Sequence, residues 1–332
     1  RVYVGELGGK FYALQADSDV TPQIIWSFEN FTSVDSSPVV GFGMVIFGTN
    51  EGQVHAYDAV TGAFKWSYKA RGAIFGSPVF DENGRIFFAD SSGTVTAIEA
   101  VGAVAPVAPY WEAKLNGPLW ASPTVFGSYV FVPTLKGKVF RLDRIPSGPI
   151  IPMEIFDADS PIRGSLVAFD KAGDIALVFG TLGRDGTPPK RIMIRGDSMN
   201  DVYWSVTATS PYYSSPAIET AAATPVAVFA SYDGTLSVVE LANGLAVSPV
   251  GEVALSGAGS IYGSPGLANG NIFLTGDSKE LVALPLDLSL PAQLEGSTQG
   301  SRSSVAISRD LIVTVSHDGS VNAWTSMVER PR

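Results

Sequence analysis

The 332-residue chain contains no cysteine. That excludes a disulfide framework, a thiolate nucleophile and thiolate metal ligation, and leaves the compartment open. Basic residues are scarce as well: 22 Lys and Arg stand against 32 Asp and Glu, for a net charge of −10. With no Lys/Arg cluster or basic stripe, the phosphate neutralisation that nucleic-acid binding requires is missing. The only histidines, His55 and His317, lie on separate units and do not make a zinc site. No run of 18 apolar residues exists, so no helix is expected to span a membrane. Phosphate-binding glycine loops, nucleophile elbows and metalloprotease histidine pairs are all absent. The acidic stretches Asp81-Glu82-Asn83-Gly84 and Asp157-Ala158-Asp159 do not continue to the bidentate glutamate that a calcium-binding loop needs. Asn30-Phe31-Thr32 fits a glycosylation sequon, a short match that is common by chance.

What the chain has in quantity is apolar residues, 45% of it, together with 35 glycines and 22 prolines. That composition suits short strands and tight turns and is too apolar for disorder. The strands repeat. Ser36 to Tyr68 holds the clearest unit, and weaker copies begin at Gly76, Ala121, Ser214 and Gly263. The third segment of each unit starts at Phe11, Val54, Val95, Val139, Ile192, Leu236, Val282 and Val321, in steps of about 39 to 53 residues. A unit of that size buries its faces only against its neighbours, so one all-β, eight-bladed β-propeller over residues 1–332 is expected, as a single domain. Blade starts fall near residues 1, 36, 76, 121, 164, 214, 263 and 303.

Within a unit the first strand is expected to begin at Ser-Pro or a variant: Ser37-Pro38, Ser77-Pro78, Ser122-Pro123, Gly164-Ser165, Ser215-Pro216, Ser264-Pro265 and Ser303-Ser304. The second strand is continuously apolar, as in Val45-Ile46-Phe47 and Ile86-Phe87-Phe88, which suits cover on both faces. Gly-containing turns such as Asn50-Glu51-Gly52 and Asp233-Gly234 lead to a third strand with a small central residue (Ala13, Ala56, Ala97, Ala283, Ala323). An outer strand carries Trp26, Trp66, Trp204 and Trp111. The tally is eight second and eight third strands but seven first and seven outer ones. The chain therefore opens at a second strand and stops after a third.

The stretch Val54-His55-Ala56-Tyr57-Asp58-Ala59-Val60-Thr61-Gly62-Ala63-Phe64-Lys65-Trp66 resembles, almost residue for residue, the repeat of the quinoprotein-dehydrogenase-like propellers built from pyrroloquinoline-quinone-type units. Phe11-Tyr12-Ala13-Leu14-Gln15-Ala16 and Val95-Thr96-Ala97-Ile98-Glu99-Ala100 match in part, and the resemblance covers essentially the whole chain. It implies that Trp66 and Trp204 dock one blade on the next. The family has an enzymatic branch, which holds the quinone and a calcium ion over the ring centre, and a non-catalytic branch that presents loops to proteins. The enzymatic branch commonly sets adjacent cysteines against the quinone, and this chain has none. No residue here matches its calcium cluster, so the resemblance lies nearer the non-catalytic members and no cofactor is expected. Fold likeness alone does not supply the function.

In a propeller the residue two before each small-Pro start points near one channel mouth. These residues are Asp35, Phe75, Trp120, Arg163, Tyr213, Tyr262 and Arg302. Mostly aromatic or arginine, they read either as plugs sealing the core or as a rim that contacts a partner. Turn residues Glu51, Lys136, Asp233, Lys279, His317 and Asp318 belong to the same end; His317-Asp318 has no nucleophile in view to make it catalytic. Residues 182–191 form the longest such excursion, and its Arg184, Asp185, Lys190 and Arg191 are a second candidate for recognition. The reading is therefore a non-catalytic scaffold for a protein or peptide, with a PQQ-dependent alcohol or sugar dehydrogenase and a carbohydrate-binding module as alternatives. Quinone and calcium enter only with the enzyme. The resemblance implies a periplasmic or extracellular location, and any leader or tether ahead of Arg1 is expected to have been removed or never included.

Overall fold

The computed structural model describes residues 1–17, 20–29, 31–105, 107–222, 224–245, 251–289, 292–295, 299–308 and 311–325. Asn30 of the sequon lies outside them. The described chain is an all-β, eight-bladed β-propeller: six four-stranded antiparallel sheets between a three-stranded first and a three-stranded last sheet. Among the described residues blade 1 has Val2–Gly5, Phe11–Asp17 and Val20–Phe28, without a first strand, and blade 8 has Ala306–Ser308, Leu311–Val315 and Val321–Thr325, without an outer one. The expected uneven ends are thus present. Residues 1–175 with 196–200 form one compact unit, and 176–195 with 201–332 a second.

In the first unit, blade 2 shows why the repeat folds as it does. Its second strand, Met44–Gly48, is buried at every position, and Val45, Ile46 and Phe47 are wholly inaccessible. Both faces are covered, so the run needs no polar alternation. Ile46 pairs with Ala56 of the third strand, Gln53–Asp58, and Ala56 pairs with Trp66 of the outer strand, Phe64–Lys69. A bulge follows at Ala56/Tyr57, and others recur between third and outer strands at Ala13/Leu14 and Val139/Phe140. Each adds local twist. The turn after the third strand is organised by Asp58, whose Oδ1 accepts from the Val60 and Thr61 amides at 3.0 and 2.9 Å and from Thr61 Oγ1 at 3.0 Å. The Thr61 amide, then Lys65, hold this carboxyl well below the usual carboxylate range. Gly62, at φ +73°, completes the turn directly beneath the Trp26 indole, where a Cβ would approach to 2.9 Å.

The second unit repeats the device. Trp204, on the outer strand Val202–Thr207 of blade 5, donates from Nε1 to the Leu241 carbonyl at 3.1 Å and lies over Gly244. A Cβ at Gly244 would meet that indole at 2.6 Å. These contacts explain both the tryptophan and the glycine of the repeat: a flat ring needs a seat without a side chain. Trp111 of blade 3 likewise donates to the Arg144 carbonyl of blade 4, at 3.2 Å.

The Ser-Pro pairs precede the first strands instead of opening them, which corrects the expected start. The strands begin at Val39, Val79, Thr124, Val167, Ala217, Gly266 and Ala306. Proline offers no amide, and the serine amide is engaged elsewhere. Ser37 N donates to Ser77 Oγ (3.0 Å), Ser77 N to Ser122 Oγ (2.8 Å) and Ser122 N to Ser165 Oγ (3.0 Å) in the first unit. Ser215 N donates to Ser264 Oγ (3.0 Å) and Ser264 N to Ser304 Oγ (2.9 Å) in the second. One residue type at one register thus links consecutive blades at their inner ends.

Candidate functional site

The segment leading to each of these serines is extended and alternates strictly. Ile74, Leu119 and Ile162 in the first unit, and Tyr212 and Ile261 in the second, are buried. The next residue, Phe75, Trp120, Arg163, Tyr213 or Tyr262, is half-buried and points the other way. A second constraint holds the neighbouring turn against it. The Ser91 amide donates to the Ala73 carbonyl (2.8 Å), Leu135 to Pro118 (3.0 Å), Tyr232 to Pro211 (2.8 Å) and Asp277 to Ser260 (2.9 Å). Each carbonyl lies two residues before a rim position, so the turn between second and third strands always packs beside the rim. Gly234, at φ +86°, lets the turn close after Tyr232, its amide donating to the Ser231 carbonyl at 3.1 Å.

In the first unit the rim residues form one stack. Phe75 and Trp120 have ring centroids 4.9 Å apart and tilted by 45°. The Arg163 guanidinium lies 4.9 Å above the Trp120 ring. Asp35 does not join them; its carboxylate accepts from Asn50 at 2.8 Å and Ser33 at 3.1 Å.

In the second unit the cluster is larger. Tyr213, Tyr232 and Tyr262 form a triangle with centroid separations of 5.4, 5.3 and 5.4 Å. Arg302 lies 4.5 Å over Tyr262 and pairs with Asp277, Nε to Oδ1 at 2.8 Å and Nη2 to Oδ2 at 3.2 Å. The neighbouring Tyr232 hydroxyl raises the Tyr262 phenol above its ordinary range. The Tyr262 hydroxyl, then that of Ser260, lowers the Tyr232 phenol below its own. Tyr232 was not legible as a rim residue, because it arrives from the turn Tyr232-Asp233-Gly234 and not from the segment before a serine. The signal that could have found it is the aromatic one place before Asp-Gly.

The candidate loop divides. Arg184 and Asp185 occupy a tight turn, where the Arg184 and Thr187 backbones exchange hydrogen bonds at 2.8 Å. Lys190 and Arg191 are not in the loop, which corrects their placement: they open the third strand of blade 5, Lys190–Arg195. Arg191 is buried and pairs with Glu252 at 2.7 Å, because the strand pattern of Arg191-Ile192-Met193-Ile194 extends further back than the loop length suggests. Lys279 likewise opens a strand, Lys279–Pro285. His317 and Asp318 are exposed turn residues, and Asp318 accepts from the Ser320 amide at 2.9 Å and from Ser316. His55 is half-buried among Phe31, Phe47 and Tyr57, its Nδ1 has no partner, and burial pushes its pKa down to about 4.

The carboxylate of Asp35 accepts from Asn50 and Ser33, that of Asp233 from Ser231, that of Asp277 from Arg302 and that of Asp318 from Ser320. Among the described residues no group of three His, Cys, Asp or Glu could hold a metal ion.

A family described as outer membrane protein assembly factor BamB matches residues 12–105 and 76–328, nearly the whole chain. The assembly factor BamB of Burkholderia pseudomallei (strain K96243) is 26% identical over 162 residues, 44% of this chain and only 41% of that relative's length. Among solved structures, BamB from Moraxella catarrhalis superposes with a TM-score of 0.70 at 14% identity, covering 97% of this chain and 93% of that one. The computationally designed Ika8 protein gives 0.72 at 16%, covering 97% and 92%. Sqt1 of Saccharomyces cerevisiae gives 0.74 at 14%, covering 90% and 83%. At such identities these structures show the fold alone. The family match goes further: the chain belongs to the family of the outer membrane protein assembly factor BamB, on the non-catalytic side of the quinoprotein-like propellers.

Proposed function

We propose that this chain is a binding scaffold, active at the periplasmic or extracellular side, that takes a polypeptide through its channel-mouth loops. The contacting residues in this reading are Phe75, Trp120 and Arg163 on one unit and Tyr213, Tyr262 and Arg302 on the other, with Arg184 and Asp185 as an outlying loop. One observation supports it above the rest: the half-buried rim side chains pack on one another and not into the apolar core, while the residues beside them do the sealing. Aromatic and arginine side chains so placed offer large contact area with few rotors, as interface hot spots do. The name of the related assembly factors suggests an unfolded outer-membrane chain as the partner. Tilted, mutually packed rings make a poor flat platform for a sugar, which sets the carbohydrate reading lower.

The test is fluorescence anisotropy with a labelled, unfolded outer-membrane barrel polypeptide. The pairs Phe75→Ala/Trp120→Ala and Tyr213→Ala/Tyr262→Ala are expected to weaken binding at least about tenfold, a loss of roughly 1.4 kcal/mol or more. Affinity unchanged in both pairs contradicts the proposal.

A further inference from the structure

We infer that the groove beside Trp66, between the outer strand of blade 2 and the turn segment Ala100–Val104 of blade 3, holds an extended apolar polypeptide segment that gives a main-chain carbonyl to the Trp66 indole. All of these residues belong to the first unit. The groove lies away from the rim. Phe42 stands in the turn between Val39–Gly41 and Met44–Gly48, and Ala100 directly follows the third strand Thr94–Glu99. In antiparallel blades both positions are at the end opposite the turns between second and third strands, which pack beside the rim. A segment bound here is a second contact, independent of the first.

The repeat itself shows what such an indole takes. Trp111 gives Nε1 to the Arg144 carbonyl at 3.2 Å, and Trp204 gives its own to the Leu241 carbonyl at 3.1 Å. Arg144 and Leu241 each stand directly after the third strand of the following blade, Lys138–Asp143 and Thr235–Glu240. For Trp66 the equivalent position is Ala100, whose carbonyl instead accepts from the Ala103 amide at 3.4 Å. Trp66 is wholly buried and its Nε1 has no acceptor. An N–H shut off from water and left unpaired is destabilising, so an acceptor brought to it is favoured. The turn glycines agree. A Cβ at Gly62 or Gly244 would press on an indole at 2.9 or 2.6 Å, whereas one at Gly102, at φ +75°, would find nothing within 4 Å. The turn stands off the ring here, and a groove of about 370 Å³ lies between them. Trp26 lacks a partner too, but Gly62 fills its seat, and Arg1 and Tyr3 hold the Ala59 carbonyl at 2.9 and 2.7 Å.

The lining calls for an apolar chain. Phe42 is 51% exposed and held at φ +52°, a left-handed conformation that bulky residues seldom adopt and that clusters at ligand clamps. Its ring packs 5.3 Å from that of Phe80. Val101 and Val104 expose 53% and 79% of their surface at the same groove. Lys65, the charged side chain of the lining, has its ammonium 3.2 Å from the Asp58 carboxylate, and Glu99 beside the turn pairs with Arg85 at 2.5 Å. With these charges paired, the groove has no cation to hold a carboxylate or phosphate head group, which sets a lipid aside. Its volume is at the small end of ligand pockets, which run from about 300 to 1,000 Å³. Apolar walls around a single donor fit a short stretch of chain. Its side chains fill the groove, and its carbonyl takes the place that Arg144 and Leu241 supply elsewhere.

The experiment titrates a capped seven-residue peptide, two leucines about a central glycine with glycine and serine flanks, into the full chain. The chain carries isotope-labelled tryptophan, and its six indole N–H signals are followed by NMR. A second peptide has serine for both leucines, and N-methylhexanamide offers the same carbonyl on a small molecule. The leucine peptide is expected to bind and to move the Trp66 indole proton downfield, as a new hydrogen bond does. Val104→Asp is expected to weaken it at least about tenfold, because a carboxylate would be buried without a partner. Phe75→Ala/Trp120→Ala is expected to leave this binding unchanged, and circular dichroism melts confirm that each variant folds. No binding, or binding that leaves the Trp66 indole unmoved, overturns the inference. Serine peptide or amide binding as tightly as the leucine peptide also overturns it. So does a Trp66 signal that moves with protein concentration alone, which would seat a second copy in the groove. Binding lost in the rim double variant but kept in Val104→Asp would place the peptide at the rim, ending this inference and keeping the proposed function. Failure of the rim to take the barrel polypeptide ends that reading and leaves this one standing.

Discussion

Within the second unit two aromatic sites contain the same kinds of ring and do different work. Trp204 is almost wholly buried, gives its only polar hydrogen to a backbone carbonyl, and rests on a glycine that has no room for a methyl group. The rings at the tyrosine rim touch other rings and an arginine, and keep surface open to solvent. A ring whose partners are neighbouring backbone is part of the weld between blades. A ring whose partners are other mobile side chains can be lost with little harm to the fold. Residue type alone does not separate the two; what lies beneath the ring does.

The largest expected effect comes from breaking the welded site. Trp204→Ala should lower stability by about 3–5 kcal/mol, through lost burial and an unfilled space. Gly244→Ala should approach that from the other side, since it places a Cβ at positive φ against the same indole. Urea unfolding midpoints check both, and a rim-sized effect from either would erase the distinction.

A second large effect concerns His55 in the first unit. Burial depresses its pKa to about 4, against 6.5 in the unfolded chain. Between those values the unfolded chain holds a proton that the folded chain does not, so stability falls as pH drops from 6.5 toward 4. The full difference amounts to about 3 kcal/mol. His55→Phe should flatten this part of the stability–pH curve relative to the parent, measured by urea midpoints at pH 7, 6, 5 and 4.5. Identical slopes would show that the imidazole is not sealed as described.

A smaller effect is expected at the serine register. Ser264→Ala removes the acceptor of the Ser215 amide and should cost about 1 kcal/mol. Ser264→Thr, which restores a hydroxyl, should recover part of it. Hydrogen exchange at the Ser215 amide reads the bond directly, and unchanged protection in the alanine variant would contradict it.

Much of this was legible in the sequence because it is local. Apolar runs such as Val45-Ile46-Phe47 announced buried second strands, and Asp58-x-x-Thr61-Gly62 announced the turn whose carboxylate gathers three hydrogen bonds. Counting strand types correctly gave a short first and a short last blade. That Phe75, Trp120, Arg163, Tyr213 and Tyr262 face away from the buried side followed from register, since alternation aims every second residue before the serine the same way. Less legible were features made by distant segments. Tyr232 meets Tyr213 and Tyr262 only because a turn amide is tied to Pro211. Arg191 looks like a loop cation until Glu252, sixty-one residues away, is found beside it. Trp66 sits on an outer strand as Trp204 does, yet the segment Ala100–Val104 that faces it leaves a groove of about 370 Å³ and the indole Nε1 finds no acceptor. The longer connection between Glu99 and Trp111 replaces the tight Asp-to-Gly turn there, a change of loop path that residue pattern does not reveal.

The most direct test of the division between weld and rim is a side-by-side urea unfolding of Trp204→Ala and the double variant Tyr213→Ala/Tyr262→Ala. The double variant should lose no more than about 1.5 kcal/mol, well short of the tryptophan variant. A loss as large as that of Trp204→Ala would mean that the tyrosines seal the blades, and the rim would then be a plug and not a binding surface.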